Sequence, residues 1–284
     1  MNQLFTCKIM TFEEQYLQTI QRCLDEGIDK PSRGEVGQRS IFGVQMRANL
    51  QEGFPILTVR KISFKIVAYE LLWILRGHTN VKFLQDNGIH IWDKFAKEDG
   101  EVGPIYQWRN WRYSSMIIDQ LKNVINEIKE NPTSKHLVVS SWNVGELDQM
   151  SVPPCPHMFQ FMVAGDTLHC SLTQRAGDLL LGVPYDLALY ALLTNLIAQV
   201  TNLKPGEIIH NIADCHIYHN HLETVRKLLN IKPGEIPRLV LDESVKDIDD
   251  FDFIHMRLEG YHPASTLTGA VTAVPLFQTF IHKH

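Results

Sequence analysis

Met158–Gln174 reads MFQFMVAGDTLHCSLTQ, and Asp186–Val200 reads DLALYALLTNLIAQV. Met158 to Ala164 and Thr167 to Gln174 are short apolar runs interrupted at Gly165-Asp166, which predicts two strands. The second segment is too long and too continuously apolar for a strand and predicts a buried helix. Working outward, Phe12 to Glu26 has Tyr16, Ile20 and Cys23 at helical spacing, with Gly27 as a stop. Ser40 to Leu50 alternates like a strand, and Phe64 to Arg76 is a long apolar helix ended by Gly77. Ile117 to Glu130 predicts an amphipathic helix stopped before Asn131-Pro132. His136 to Trp142 predicts a further strand, and His219 to Asn230 a helix. Helices and strands mix without βα alternation, so the expected class is α+β, with a large mixed or antiparallel sheet flanked by helices. No repeat or linker divides the chain, and residues 1–284 are read as one domain.

Of 284 residues, 44% are hydrophobic and 21% charged, a globular composition. Net charge is -5, whereas a binder of polymer phosphates carries a basic excess, so no nucleic acid polymer is expected as a partner. Five widely spaced cysteines without a CxxC pair argue against a disulfide framework or a zinc knuckle. MNQLFTCKIMTFEEQ lacks the charged and apolar regions of a signal peptide. Leu187 to Val200, the longest apolar stretch, is interrupted by Thr194, Asn195 and Gln199 and reads as too short to span a bilayer. A cytoplasmic protein without membrane contact is the expectation.

Four places could carry chemistry. Cys155 lies in Val152-Pro153-Pro154-Cys155-Pro156, a stiff loop presenting one thiol, either a nucleophile or a structural cysteine. Thr173-Gln174-Arg175-Ala176-Gly177-Asp178 and Leu181-Gly182-Val183-Pro184-Tyr185-Asp186 put an arginine and two carboxylates around a glycine-punctuated bend. The arginine fork suits a phosphate or an ion pair at a strand end. Glu70 within an apolar helix is either a buried salt-bridge partner or an acid/base group. Asp214-Cys215-His216-Ile217-Tyr218-His219-Asn220-His221 offers three histidines, but no HExxH pattern, so ligand contacts from His216 and Tyr218 are preferred over metal.

Together these motifs resemble the thymidylate synthase family, from about Thr11 to Val274. The resemblance rests on Ser40-Ile41-Phe42-Gly43, Glu70-Leu71-Leu72-Trp73, Arg76-Gly77-His78-Thr79-Asn80, Ile91-Trp92-Asp93 and Gly103-Pro104-Ile105-Tyr106. It continues through Gln107-Trp108-Arg109, Pro153-Pro154-Cys155, Gln174-Arg175 and Asp214-Cys215-His216-Ile217-Tyr218. It implies a homodimer with sheets back to back, and 5,10-methylenetetrahydrofolate as cofactor. Cys155 would attack pyrimidine C6, with Glu70, Tyr106 and Asp186 completing the catalytic set. Arg33 and Arg175 would hold the 5'-phosphate, with Lys135 and His136 reaching it across the dimer. Gln174, Ala176, Asp186, His216 and Tyr218 would contact the nucleotide. Trp92, Asp178, Gly182 and Arg60 would serve the folate.

Departures from the family pattern suggest a different base. Asp186 stands where the family has asparagine. A carboxylate only accepts hydrogen bonds, which suits the cytosine amino group and opposes uracil O4, and an unpaired buried charge would cost about 3 kcal/mol. Pro156 displaces the histidine that usually follows the nucleophile to His157. Ala176 and Lys135 replace a serine and an arginine, loosening the phosphate end and favouring CMP over dCMP. The expected activity therefore resembles that of the cytidylate 5-hydroxymethylases. After Cys155 addition and one-carbon transfer, water rather than hydride completes the reaction, aided by an altered tail at Pro275 to His284. Rival readings are thymidylate formation from dUMP, C5 methylation of dCMP, and a catalytically idle regulator.

Overall fold

The computed structural model describes residues 10–32 and 36–267. Thr11 caps α1 (Phe12–Glu26) through a reciprocal box with Glu14, and Tyr16, Ile20 and Cys23 turn inward as their spacing requires. Next come β1 (Ile28–Lys30), β2 (Gln38–Asn49), α2 (Phe64–Leu75) and α3 (Lys82–Asp86). Just past the end of α2, Gly77 takes a left-handed φ of 67°, which glycine adopts without a Cβ clash. β3 (Trp111–Tyr113) and β4 (Met116–Ile118) form a small hairpin before α4 (Gln120–Glu130) and β5 (Val138–Ser140). α4 thus begins three residues after the apolar pattern does. Ile117 and Ile118 pair with Arg112 and Trp111, and the Asp119 carboxylate accepts from the Lys122 N–H to start the helix.

β6 (Pro156–Ala164) and β7 (Thr167–Asp178) are the two strands expected from the opening stretch, joined at Gly165-Asp166. β7 runs four residues further than expected, to Asp178. α5 (Gly182–Val200) follows, then β8 (Lys204–Tyr218), α6 (Leu222–Leu228), β9 (Arg238–Leu241) and β10 (Met256–Glu259). The main sheet has the order β1-β2-β8-β7-β6-β5, antiparallel throughout except for the β7–β8 pair, which is parallel. It is the mixed sheet of an α+β fold. The expected helix at His219–Asn230 is shorter: His219–His221 forms a single 3-10 turn before α6.

α5 is longer than the apolar run suggested. Its 19 residues are enough to cross a membrane by length and composition, but most of that surface is buried in the protein. It packs on β7, β8 and α2, while α1 covers β2. At its centre Trp108, Phe159 and Tyr190 meet edge-on or tilted, with ring centroids 4.9 to 5.7 Å apart. Across the sheet, register aligns Arg47, Ile209, Ser171, Gln160 and Val138 in one row, each at least partly exposed. That face lies opposite the buried row of Met46, His210 and Leu172.

Phe159→Ala should remove the ring joining the sheet to α5 and lower stability by about 3–5 kcal/mol. Urea unfolding should show a lower midpoint at an unchanged m-value.

Candidate active site

Cys155 sits partly exposed where the proline-rich loop enters β6. Pro154 and Pro156 withhold two backbone donors and restrict φ, so the loop needs side-chain anchors. Arg175 on β7 supplies them. Its backbone N–H donates to the Cys155 carbonyl at 2.9 Å, its Nε to Pro154 O at 3.0 Å and its Nη2 to Pro153 O at 2.6 Å. Nη2 also lies 3.6 Å from Cys155 Sγ. The Trp142 ring faces this guanidinium at 5.9 Å and meets His157 edge-on. Pairing passes from Pro156–Gln174 to Met158–Thr173, so His157 is the extra residue of a bulge.

The second group forms where β7 meets the first turn of α5. Gln174, fully buried, donates from Nε2 to Ala176 O at 2.8 Å and to Asp186 Oδ2 at 2.7 Å. Burial, with the Glu70 charge nearby, pushes the Asp186 carboxyl up to about 8. Burial thus favours the protonated form of Asp186, which can donate as well as accept, where the sequence reading takes the carboxylate. Glu70 on α2 is pushed up to about 7 by burial, opposed by the Trp92 Nε1–H donating to its Oε1 at 2.8 Å. Trp92 stacks on Trp73 and meets Tyr106 edge-on. The Tyr106 hydroxyl is raised well above its ordinary value by burial and by the Cys155, Asp186 and Glu70 charges around it. Cys155, Arg175, Gln174, Asp186, Glu70, Tyr106 and Trp92 therefore share one neighbourhood.

Ala176 and Asp178 follow on β7, partly exposed. Asp178 Oδ1 accepts from the Leu180 N–H at 2.9 Å, and its other oxygen lies 3.7 Å from His221 Nδ1. His216 is Asp178's register partner on β8, and its ring meets Tyr218 edge-on. A Cβ built on Gly182 would lie 3.5 Å from Asp186 Oδ2. Arg60 is buried, its guanidinium donating to the Leu180 and Leu267 carbonyls. Lys135 and His136 stand elsewhere in this chain: both are exposed before β5, with His136 lining a surface hollow with Gln120, Asn123 and Glu127. Arg33 and the Pro275–His284 tail lie outside the described residues. Two residues escaped sequence reasoning. Trp142 was read only as a strand end, and His210 lies in the first half of β8, where interleaved polar residues hide the strand pattern.

Asp186 also sets a pH dependence. Its folded value, about 8, exceeds the ordinary 3.8, so the native state binds more protons between those values. The stability it contributes is complete below the lower value and is lost as pH rises through the higher. Asp186→Asn should remove that loss. Its urea midpoint relative to the native protein should rise between about pH 4.5 and about pH 8.5, and a flat difference would refute the raised value.

Residues 14–273 match the family model described as thymidylate synthase. Three curated relatives called thymidylate synthase come from Coxiella burnetii strains Dugway 5J108-111, RSA 331 / Henzerling II and RSA 493 / Nine Mile phase I. Each is 48% identical over 261 residues, covering 91% of this chain and 99% of the relative. The chain belongs to the thymidylate synthase family, folate-dependent transferases that carry a one-carbon unit from 5,10-methylenetetrahydrofolate to C5 of a pyrimidine nucleotide.

Proposed function

We propose that this protein acts on a cytidine monophosphate, CMP in preference to dCMP, and releases the 5-hydroxymethyl nucleotide. The observation that carries this reading is Asp186, its carboxyl held by Gln174 beside Glu70 and Cys155, with burial favouring its proton. The protonated Asp186 can donate to the unprotonated cytosine N3 while its other oxygen accepts from the 4-amino group. Uracil presents a donor at N3 and an acceptor at position 4, so it would need the acid proton on the opposite oxygen.

Cys155 is the nucleophile toward C6, because the Arg175 guanidinium at 3.6 Å favours the thiolate that attacks carbon. A hydrogen bond from the Asp186 acid to N3 withdraws electrons from the ring and assists that attack. His216 and Tyr218 contact the sugar. The phosphate is held by Arg33 and Arg175 and by Lys135 and His136 of a second copy, docked back to back on the exposed sheet row. The missing hydroxyl of Ala176 leaves the nucleotide room to shift for a ribose 2'-hydroxyl.

The residues present fit the folate. Asp178 offers a partly exposed carboxylate to pterin amino groups, Trp92 an aromatic face, and Gly182 an uncrowded helix start. When bound, the folate supplies the one-carbon unit. Glu70, near 7, can take a proton from a water molecule at neutral pH, which supports water attack as the final step.

The shared name of the Coxiella relatives favours a second reading, dUMP to dTMP. The two part on incubation with methylenetetrahydrofolate and each of CMP, dCMP, UMP and dUMP, followed by product mass analysis. The cytidylate reading expects a hydroxymethyl adduct on CMP without dihydrofolate. Turnover confined to dUMP, with dihydrofolate formed, would overturn it.

A companion measurement is base preference. Asp186→Asn should shift the ratio of kcat/KM toward uracil by at least about tenfold, or 1.4 kcal/mol.

A further inference from the structure

His210 occupies an apolar slot of the sheet. It is fully buried on β8, its register partners are Met46 and Leu172, and both of these are buried too. One ring nitrogen, Nδ1, has no hydrogen-bond partner among the described residues. The other, Nε2, lies 2.6 Å from Gln174 Oε1. Leaving a polar ring atom unpaired in such a place costs about 1–3 kcal/mol. A leucine or methionine would avoid that cost, so packing alone does not account for a histidine.

What the histidine settles is the direction of an amide. A glutamine side chain keeps nearly the same shape when its oxygen and nitrogen are exchanged. Gln174 donates both amide hydrogens, to Ala176 O and to Asp186 Oδ2, only while its oxygen faces His210. The Nε2–H of His210 donates to that oxygen and holds the orientation. Burial pushes the imidazole down to about 3, so it stays neutral and this tautomer keeps Nδ1 bare.

The consequence reaches Asp186. With Gln174 donating to Oδ2, that oxygen is an acceptor, and the carboxyl proton belongs on Oδ1. Were the amide reversed, its oxygen would face Oδ2 and draw the carboxyl proton to itself, leaving Asp186 with no hydrogen for the base. Only the observed amide orientation leaves a neutral carboxyl with both a donor and an acceptor for a pyrimidine edge. Cytosine, with an acceptor at N3 beside a donor at position 4, and uracil, with the reverse, are told apart only by a partner that keeps one hydrogen to give.

We propose that His210 is a positioning residue for base selection, fixing through Gln174 which oxygen of Asp186 carries the proton shown to the pyrimidine. This rests on the reading that Asp186 faces the base, and it holds whichever base the enzyme prefers.

The test compares His210→Gln with His210→Asn. The glutamine can place an amide N–H near the position of Nε2 and donate to Gln174. The asparagine reaches only the position of Nδ1. Both are polar residues in the same slot, so a merely structural role predicts similar defects. Steady-state kinetics on CMP, dCMP, UMP and dUMP give the base ratio of kcat/KM, with Asp186→Asn run alongside. His210→Gln should keep the native ratio within about threefold, and His210→Asn should compress it about tenfold or more while KM rises more than kcat falls. Equal ratios in the two histidine variants would overturn the inference, provided that urea unfolding shows both folded. If one does not fold, the ratio in the other still decides: a native ratio in the asparagine variant, or a compressed one in the glutamine variant, is equally fatal. An unchanged ratio in Asp186→Asn would instead sink the base-reading role of Asp186 itself. A shifted ratio there, with identical histidine variants, would remove only the His210 step.

Discussion

Two parallel strands cannot be joined by a tight turn, and the β7–β8 pair is the one parallel pair in this sheet. The chain must leave the sheet after Asp178 and return at Lys204, and α5 makes that crossing. Its first turn therefore lands over the end of β7, which puts Asp186 against Gln174 twelve positions earlier. The same pairing sets His210 and His216 beside β7, level with Leu172 and Asp178. The functional neighbourhood is built around this one topological exception in an otherwise antiparallel sheet.

Two carboxyls share one low-dielectric neighbourhood, and the Glu70 charge adds to the proton affinity of Asp186. Glu70 reaches it from α2 and Asp186 from α5, and both are held up mainly by burial. Asparagine at position 186 would leave Glu70 as the single titrating carboxyl of that pair. Aspartate adds a second proton that can be offered to a base in a hydrogen bond. The difference is chemical rather than steric, since the two side chains have nearly the same shape. Arg175 does the complementary work on the other side, drawing three loop carbonyls and a sulfur toward one guanidinium-bearing residue.

Helices whose contacts are local were legible in the sequence. α1 begins and ends where Thr11 and Gly27 predict, and α2 stops just before the glycine that suits a left-handed turn. The errors lie where distant partners override local pattern. Ile117 and Ile118 look helical but pair with Arg112 and Trp111, and the first half of β8 hides its strand because His210 and Asn211 interrupt the apolar pattern. Cys155, Arg175, Gln174 and Asp186 were all identified as candidates from motif and resemblance. Lys135 and His136 belong to the same motif set but lie apart in a single chain.

By itself, the sequence determined the class of fold and the family and singled out candidate reactive residues, because periodicity and stiff loop chemistry are local properties that survive in a linear string. It also exposed the aspartate at position 186. Only the tertiary structure decided what that aspartate is. Its protonation depends on burial and on Glu70, which is distant in sequence, and its orientation depends on an amide held by a histidine from a strand on the far side of a crossover. Such fields and orientations are sums over neighbours in space, and no spacing along the chain encodes them.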